Sequence, residues 1–231
     1  MNQLQLLNQN KGKYMKKLLI GIYILVTIGI IVVVSNSGLL TKKDHKAIDA
    51  GERIYNQQCF ACHGENGKGE GAKEGTAINN QHFLSVFSDK DLFNQVKYGR
   101  EGTVMPAYGA NLSEEDLKHL VAYIRNWQTK SVDQDVPKNI SGNPENGQKL
   151  YKLYCANCHG FEGVGKKKMG TVLASPQYLR YTSDKQIWAS TAYGREDTRM
   201  GPSLKGLEGV RQFSESQIND IVTYIRTFQN K

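Results

Sequence analysis

"QCFACHGENGKG" (residues 58–69) is echoed by "YCANCHGFEGVGKKK" (residues 154–168), and the four cysteines of this 231-residue chain all fall within these two stretches. The echo extends outward. Shifted by 96 residues, Gly51, Tyr55 and Cys59 fall on Gly147, Tyr151 and Cys155. Shifted by 95, Tyr98-Gly99-Arg100-Glu101-Gly102-Thr103-Val104-Met105 meets Tyr193-Gly194-Arg195-Glu196-Asp197-Thr198-Arg199-Met200, identical at six of eight positions. Shifted by 101, Leu117, Leu120, Val121, Ile124 and Trp127 meet Ile218, Ile221, Val222, Ile225 and Phe228. Three landmarks in the same order make this a tandem duplication of a unit of about 80 to 90 residues.

The third landmark repeats its apolar positions at i, i+3, i+4 and i+7, the stripe of an amphipathic helix. Ser113 with Asp116, and Ser214 with Gln217, supply the hydroxyl and the reach-back group of a capping box at the start of each such helix. Residues 49–58 and 146–154 read as opening helices that run into the cysteines, with glycine-rich loops and short helical pieces following. No convincing period-two alternation predicts a strand. The expected fold is all-α: one repeat over residues 47–128, a polar Pro/Gly/Ser linker over 129–143, and a second repeat over 144–231. Units this small rarely fill a core unaided, so each interior is expected to hold a staple, a metal or a cofactor.

Four chemistries use cysteine in pairs like these. A redox disulfide belongs after a strand in a βαβ unit, a context missing here, and two tight pairs do not staple distant loops. Zinc wants four ligands in a tetrahedron, but the second knuckle lies 96 residues away in the other repeat. Zinc also leaves the repeated methionine without a role. Covalent haem accounts for every recurrence. The two thiols add to the porphyrin vinyl groups, the next-residue histidine becomes the proximal iron ligand, and the sixth ligand arrives from far along the chain. Met105, 42 residues after His63, and Met200, 41 after His159, are the candidates, because a thioether is a soft, neutral ligand that favours ferrous iron. Core packing is the competing reading of either methionine. Met169 competes with Met200, and His82 with Met105. The expected cofactor is two covalently bound haem c. The expected binding set is Cys59, Cys62, His63 and Met105 with Cys155, Cys158, His159 and Met200, the iron lying between His63 and Met105 and between His159 and Met200.

These motifs resemble those of class I c-type cytochromes, and the chain is similar to a membrane-anchored dihaem cytochrome with two such domains in tandem. The likeness covers residues 47–128 and 144–231, and Met200-Gly201-Pro202 departs from the Met-Pro pattern that Met105-Pro106 follows. The resemblance implies small all-α domains whose first and last helices cross at a Gly/aromatic contact. Gly51, Tyr55 and Tyr123 fit that crossing, as do Gly147, Tyr151 and Tyr224. Two protein ligands on each iron leave no position for a substrate, which argues for relay of single electrons rather than catalysis. Family likeness places such a relay in a respiratory chain, between a bc-type quinol-oxidising complex and a terminal oxidase or other acceptor. The rival reading is a dihaem oxidoreductase, such as a thiosulfate dehydrogenase with one catalytic haem, supported by the irregular Met200 loop. Arg100 and Arg195 read either as partners of haem propionates or as exposed helix-end residues.

Residues 18–34, LLIGIYILVTIGIIVVV, run seventeen positions without a charge, the short end of what a tilted helix needs to cross a bilayer. A cleaved export signal is the alternative, for which Val33-Val34-Ser35 is a poor site. The expectation is a cytoplasmic N-terminus over 1–17, a transmembrane anchor over 18–36 and a tether over 37–46, with Met15 a second candidate start. Thioether attachment in bacteria is completed after export, so the haem domains are expected on the periplasmic or outer side of the cytoplasmic membrane. The net charge of +8 suggests nucleic acid until it is divided: residues 1–46 hold seven lysines and one aspartate, leaving only +2 beyond, so that reading loses its support. Lys166-Lys167-Lys168 reads as a solvated face or as charge that steers an acidic redox partner. Gly160 to Lys166 spells G-x-x-x-x-G-K, but Lys167 replaces the Ser or Thr of a phosphate loop and no strand precedes it.

Overall fold

The computed structural model describes residues 44–71, 75–167 and 169–230. The expected cytoplasmic segment, the anchor and the tether up to residue 43 lie outside the described residues. Among those that are described, every regular element is helical, and β pairing is limited to two isolated bridges, Lys166 with Gly170 and Leu204 with Phe213. No described helix is long and apolar enough to cross a membrane.

The first repeat opens with α1 (His45–Gln58), continues through α2 (Phe60–His63), α3 (Gln81–Val86) and α4 (Asp89–Tyr98), and closes with α5 (Glu114–Asn126). The second follows the same order: α6 (Pro144–Tyr154), α7 (Ala156–His159), α8 (Pro176–Tyr181), α9 (Asp184–Tyr193) and α10 (Glu215–Arg226). Both opening helices start earlier than the sequence suggested. For α6 the reason is local: the Asn143 side chain accepts from the Glu145 and Asn146 amides, and Pro144 supplies a pre-set first turn. The capping boxes expected at Ser113 and Ser214 are present, and the same device recurs at Ser88 with Asp91 and Ser183 with Gln186, ahead of α4 and α9.

In each lobe the opening and closing helices cross at their glycine. A Cβ on Gly51 would lie 2.0 Å from the His119 carbonyl oxygen, and one on Gly147 1.9 Å from that of Asp220, so only glycine permits the approach. Aromatic rings lock the contact. Tyr55 meets Tyr123 and Trp127 with centroids 5.5 and 5.2 Å apart, and Tyr151 meets Tyr224 and Phe228 at 5.4 and 5.6 Å, in tilted or edge-on arrangements. Each pair is worth about 0.5–1.5 kcal/mol beyond the area it buries. The stripes of α5 and α10 bury Leu117, Leu120 and Ile124, and Ile218, Ile221 and Ile225, giving one apolar core per lobe. Arg125 reaches from α5 to Asp89 and the Leu84 and Phe87 carbonyls, and Arg226 makes the matching contacts to Asp184, Leu179 and Thr182.

The lobes dock on each other through their middle helices, α4 against α8 and α3 against α9. Tyr98 stacks on Tyr181 at 4.6 Å and 8°. Gln95 donates to the Tyr181 carbonyl and the Thr182 hydroxyl, while Gln186 donates to the Val86 carbonyl and Asp91. The linker is fixed along its length: the Thr129 amide donates to Gln81, the Val132 amide to Ser85 Oγ, and the Tyr193 hydroxyl to the Asp135 carbonyl, while Val136 and Ile140 pack on the second core.

Candidate functional site

Each opening helix delivers its cysteine pair through one further helical turn. The Cys59 amide donates to the Tyr55 carbonyl at 2.8 Å and the His63 amide to the Cys59 carbonyl at 2.9 Å; Cys155 and His159 repeat both bonds at the same distances. The crossing tyrosine then reaches over the turn, Tyr55 Oη donating to the Gly64 carbonyl and Tyr151 Oη to that of Gly160, both at 2.8 Å. The ring that closes the hydrophobic crossing therefore also fixes the backbone next to the histidine. Burial pushes the Cys59 thiol up to about 12 and the Cys155 thiol up to about 11, opposite to the lowered values that mark a reactive redox thiol.

Both imidazoles are anchored from behind. His63 Nδ1 lies 2.8 Å from the Thr76 carbonyl oxygen, and His159 Nδ1 2.9 Å from that of Thr171. A carbonyl only accepts, so Nδ1 carries the proton and Nε2 keeps its lone pair, the tautomer and orientation a metal ligand needs. Burial is the main influence on each ring and shifts its pKa downward, toward the neutral form. The sequence reading missed these partners, although Gly75-Thr76 and Gly170-Thr171 recur at the 95-residue shift. The glycine of each pair matters sterically: a Cβ on Gly75 would lie 2.6 Å from the Cys62 carbonyl oxygen, and one on Gly170 2.5 Å from that of Cys158.

The methionine turns are also built alike. Arg100 N–H donates to the Met105 carbonyl and Arg195 N–H to that of Met200. Within each turn a threonine hydroxyl donates to the arginine carbonyl and accepts from the methionine amide, Thr103 in the first lobe and Thr198 in the second. That explains why threonine repeats inside the motif. Both methionines are half-buried. Met105 packs against the first core, whereas Met200 is not among the residues packed on the second. The loop after Met200 is held instead by Arg211, which donates to the Gly201 carbonyl and Ser203 Oγ.

His82 sits at the seam between the lobes, 3.9 Å from Glu196 and with its ring 6.3 Å from that of Tyr193. Met169 lies in the tight Lys166–Gly170 turn, and Lys168 is outside the described residues. Arg100 and Arg195 are half-buried against aromatic rings, which corrects the exposed helix-end alternative. Trp188 Nε1 and Arg195 Nε are buried without a hydrogen-bond partner. Anchored imidazoles, paired thiols, glycines that leave the backbone bare and unspent buried donors fit a covalently attached porphyrin that carries carboxylates.

Residues 46–124 match the family model described as cytochrome c oxidase, cbb3-type, subunit III, and residues 144–229 match the one described as cytochrome c. The chain belongs to the c-type cytochromes and carries two cytochrome c domains in tandem, each with a Cys-x-x-Cys attachment motif for haem c. It is 33% identical over 90 residues to the cbb3-type cytochrome c oxidase subunit FixP of Bradyrhizobium diazoefficiens, covering 39% of this chain and 30% of that protein. It is 26% identical over 161 residues to subunit CcoP of Azospirillum brasilense, covering 63% and 52%. The chain thus spans about half or less of the length of these oxidase subunits. A chain of the Kuenenia stuttgartiensis reducing HAO-like protein complex Kustc0457/Kustc0458 superposes over 78% of this chain and 95% of its own, at TM-score 0.48 and 20% identity, a likeness too slight to bear on function.

Proposed function

We propose that the chain relays single electrons through two covalently bound haem c groups, whose iron His63 and Met105 would hold in the first lobe and His159 and Met200 in the second. One observation carries this reading: both halves of the ligand apparatus, the imidazole anchored through Nδ1 and the threonine-pinned methionine turn, occur twice with the same hydrogen bonds. When bound, haem c supplies a one-electron iron couple. The residues of this chain supply the rest. Cys59 with Cys62, and Cys155 with Cys158, tether the group; the Thr76 and Thr171 carbonyls hold Nε2 basic and aimed; the methionine turns offer a soft sulfur. With a histidine and a methionine of the chain both holding the iron, each lobe would accept and release electrons without binding a substrate.

The cbb3 relatives support a role as subunit or donor of a terminal oxidase; a bc-type quinol-oxidising complex would be the source of electrons on this reading. Residues 18–36 would anchor the chain in the cytoplasmic membrane with both lobes on its periplasmic or outer side. Mass spectrometry of the purified chain tests the core of the proposal by showing two added tetrapyrroles, and fewer overturns it. Met105→His and Met200→His are each expected to lower the potential of one haem and leave the other alone. The stand-off of Met200 from its core favours a second reading, a dihaem oxidoreductase such as a thiosulfate dehydrogenase with a labile ligand in the second lobe. Carbon monoxide binding to one haem of the reduced wild-type protein would select it.

A further inference from the structure

The repeated Tyr-Gly-Arg-Glu turns do not stay in their own lobes. Arg100, from the first lobe, lays its guanidinium 5.0 Å over the ring of Tyr178 in the second and donates from Nη1 to Thr171 Oγ1 at 3.1 Å. Thr171 is the residue whose carbonyl anchors His159. Arg195, from the second lobe, lies 4.9 Å over the ring of Phe83 in the first. The swap is pseudo-symmetric, because Phe83 and Tyr178 correspond at the same 95-residue shift as the arginines.

Neither guanidinium has a carboxylate partner among the described residues. Burial is the main influence on both and pulls each below its ordinary value, as expected of a cation without counter-charge; Arg100 also feels Arg195 as a repelling neighbour, and both feel Tyr178. Arg100 is close enough to His63, and Arg195 to His159, to disfavour a charge on those rings. Two half-buried cations therefore reach across the lobe boundary, and Arg100 touches the residue that anchors His159. A buried, uncompensated guanidinium is costly, and one of these keeps an unused Nε donor. The planar fork of arginine suits a carboxylate, and porphyrin propionates are the carboxylates that the dihaem reading brings to this place.

We propose that Arg100 and Arg195 form one cationic seam that takes the propionates of both haems across the lobe boundary and so couples the reduction of the two irons. This rests on the dihaem reading above. A cation held near both irons stabilises the added electron at each, so removing it lowers both potentials.

The test is a redox titration of the full-length chain alongside a haem count. Arg100→Gln or Arg195→Gln should keep two haems and lower both midpoints, the larger shift being about tenfold in the reduction equilibrium, or about 59 mV for a one-electron couple. Arg100→Lys and Arg195→Lys keep the charge but lose the fork, and should lower both midpoints by less, about threefold in the reduction equilibrium. Should the glutamine variants fail to fold, the lysine variants decide alone. Unmoved midpoints, or a shift confined to one step, in a variant with two haems overturns the shared seam and leaves the relay reading intact. A wild-type chain with fewer than two haems overturns the relay reading itself.

Discussion

The two lobes agree closely on the cysteine–histidine side and part company on the methionine side. Each tyrosine-to-glycine bond measures 2.8 Å, and the histidine-to-threonine contacts measure 2.8 and 2.9 Å. Beyond the methionine the first lobe proceeds through Pro106 to the cap at Ser113, with the Tyr108 hydroxyl bonded to the Gln58 carbonyl. The second lobe instead inserts a loop before Ser214, visible in the sequence as a shift that grows from 95 to 101. There Phe213 packs edge-on against Tyr154 with centroids 5.2 Å apart, and Arg211 pins Gly201 and Ser203. The covalent attachment and the imbedded imidazole tolerate little variation in geometry. The distal side can be held by packing in one lobe and by a hydrogen-bonded arginine in the other.

Substitutions at the shared features should hurt both lobes equally. Gly51→Ala and Gly147→Ala, which drive a methyl into a backbone carbonyl, are each expected to cost about 3 kcal/mol or more and to release the helix crossing of one lobe. Thermal unfolding followed by far-ultraviolet dichroism measures this, and a cost from only one of the two variants would break the equivalence. Arg125→Ala and Arg226→Ala each leave two carbonyls and a carboxylate without their donor, at a cost of about 2 kcal/mol in the same assay. Arg211→Ala should separate the lobes: a loss of about 1.5 kcal/mol confined to the second, with carbon monoxide binding appearing at one reduced haem. A difference spectrum without that signal would mean the Met200 loop holds itself. Ser113→Ala and Ser214→Ala, each removing a cap, should cost about 1 kcal/mol apiece in urea unfolding.

Much of each lobe was legible because it is written in local pattern. The closing helices announce themselves by period and capping box, and the crossing by glycine and tyrosine at a fixed distance before the cysteines. The histidine anchors were not legible, since a backbone carbonyl can come from any residue; only the doubled Gly-Thr hinted at them. The docking of the lobes left no periodic trace either. Gln95 and Thr182, or Asn80 and the Glu196 carbonyl, are partners far apart in sequence, brought together by tertiary packing alone. That is why nothing in the sequence shows Arg100 and Arg195 resting each on the other lobe. The anchor expected over 18–36 falls outside the described residues.

The linker carries a consequence for speed. A free Gly/Ser tether would leave the halves to find one another by diffusion, with an encounter probability that falls as the tether lengthens. Here residues 129–143 are stitched to Gln81, Ser85 and Tyr193 and seated on the second core, so they act as a strap and not as a hinge. On the proposed relay, hand-over between the halves would need no collision, and thickening the solvent should slow only the chain's meetings with outside partners.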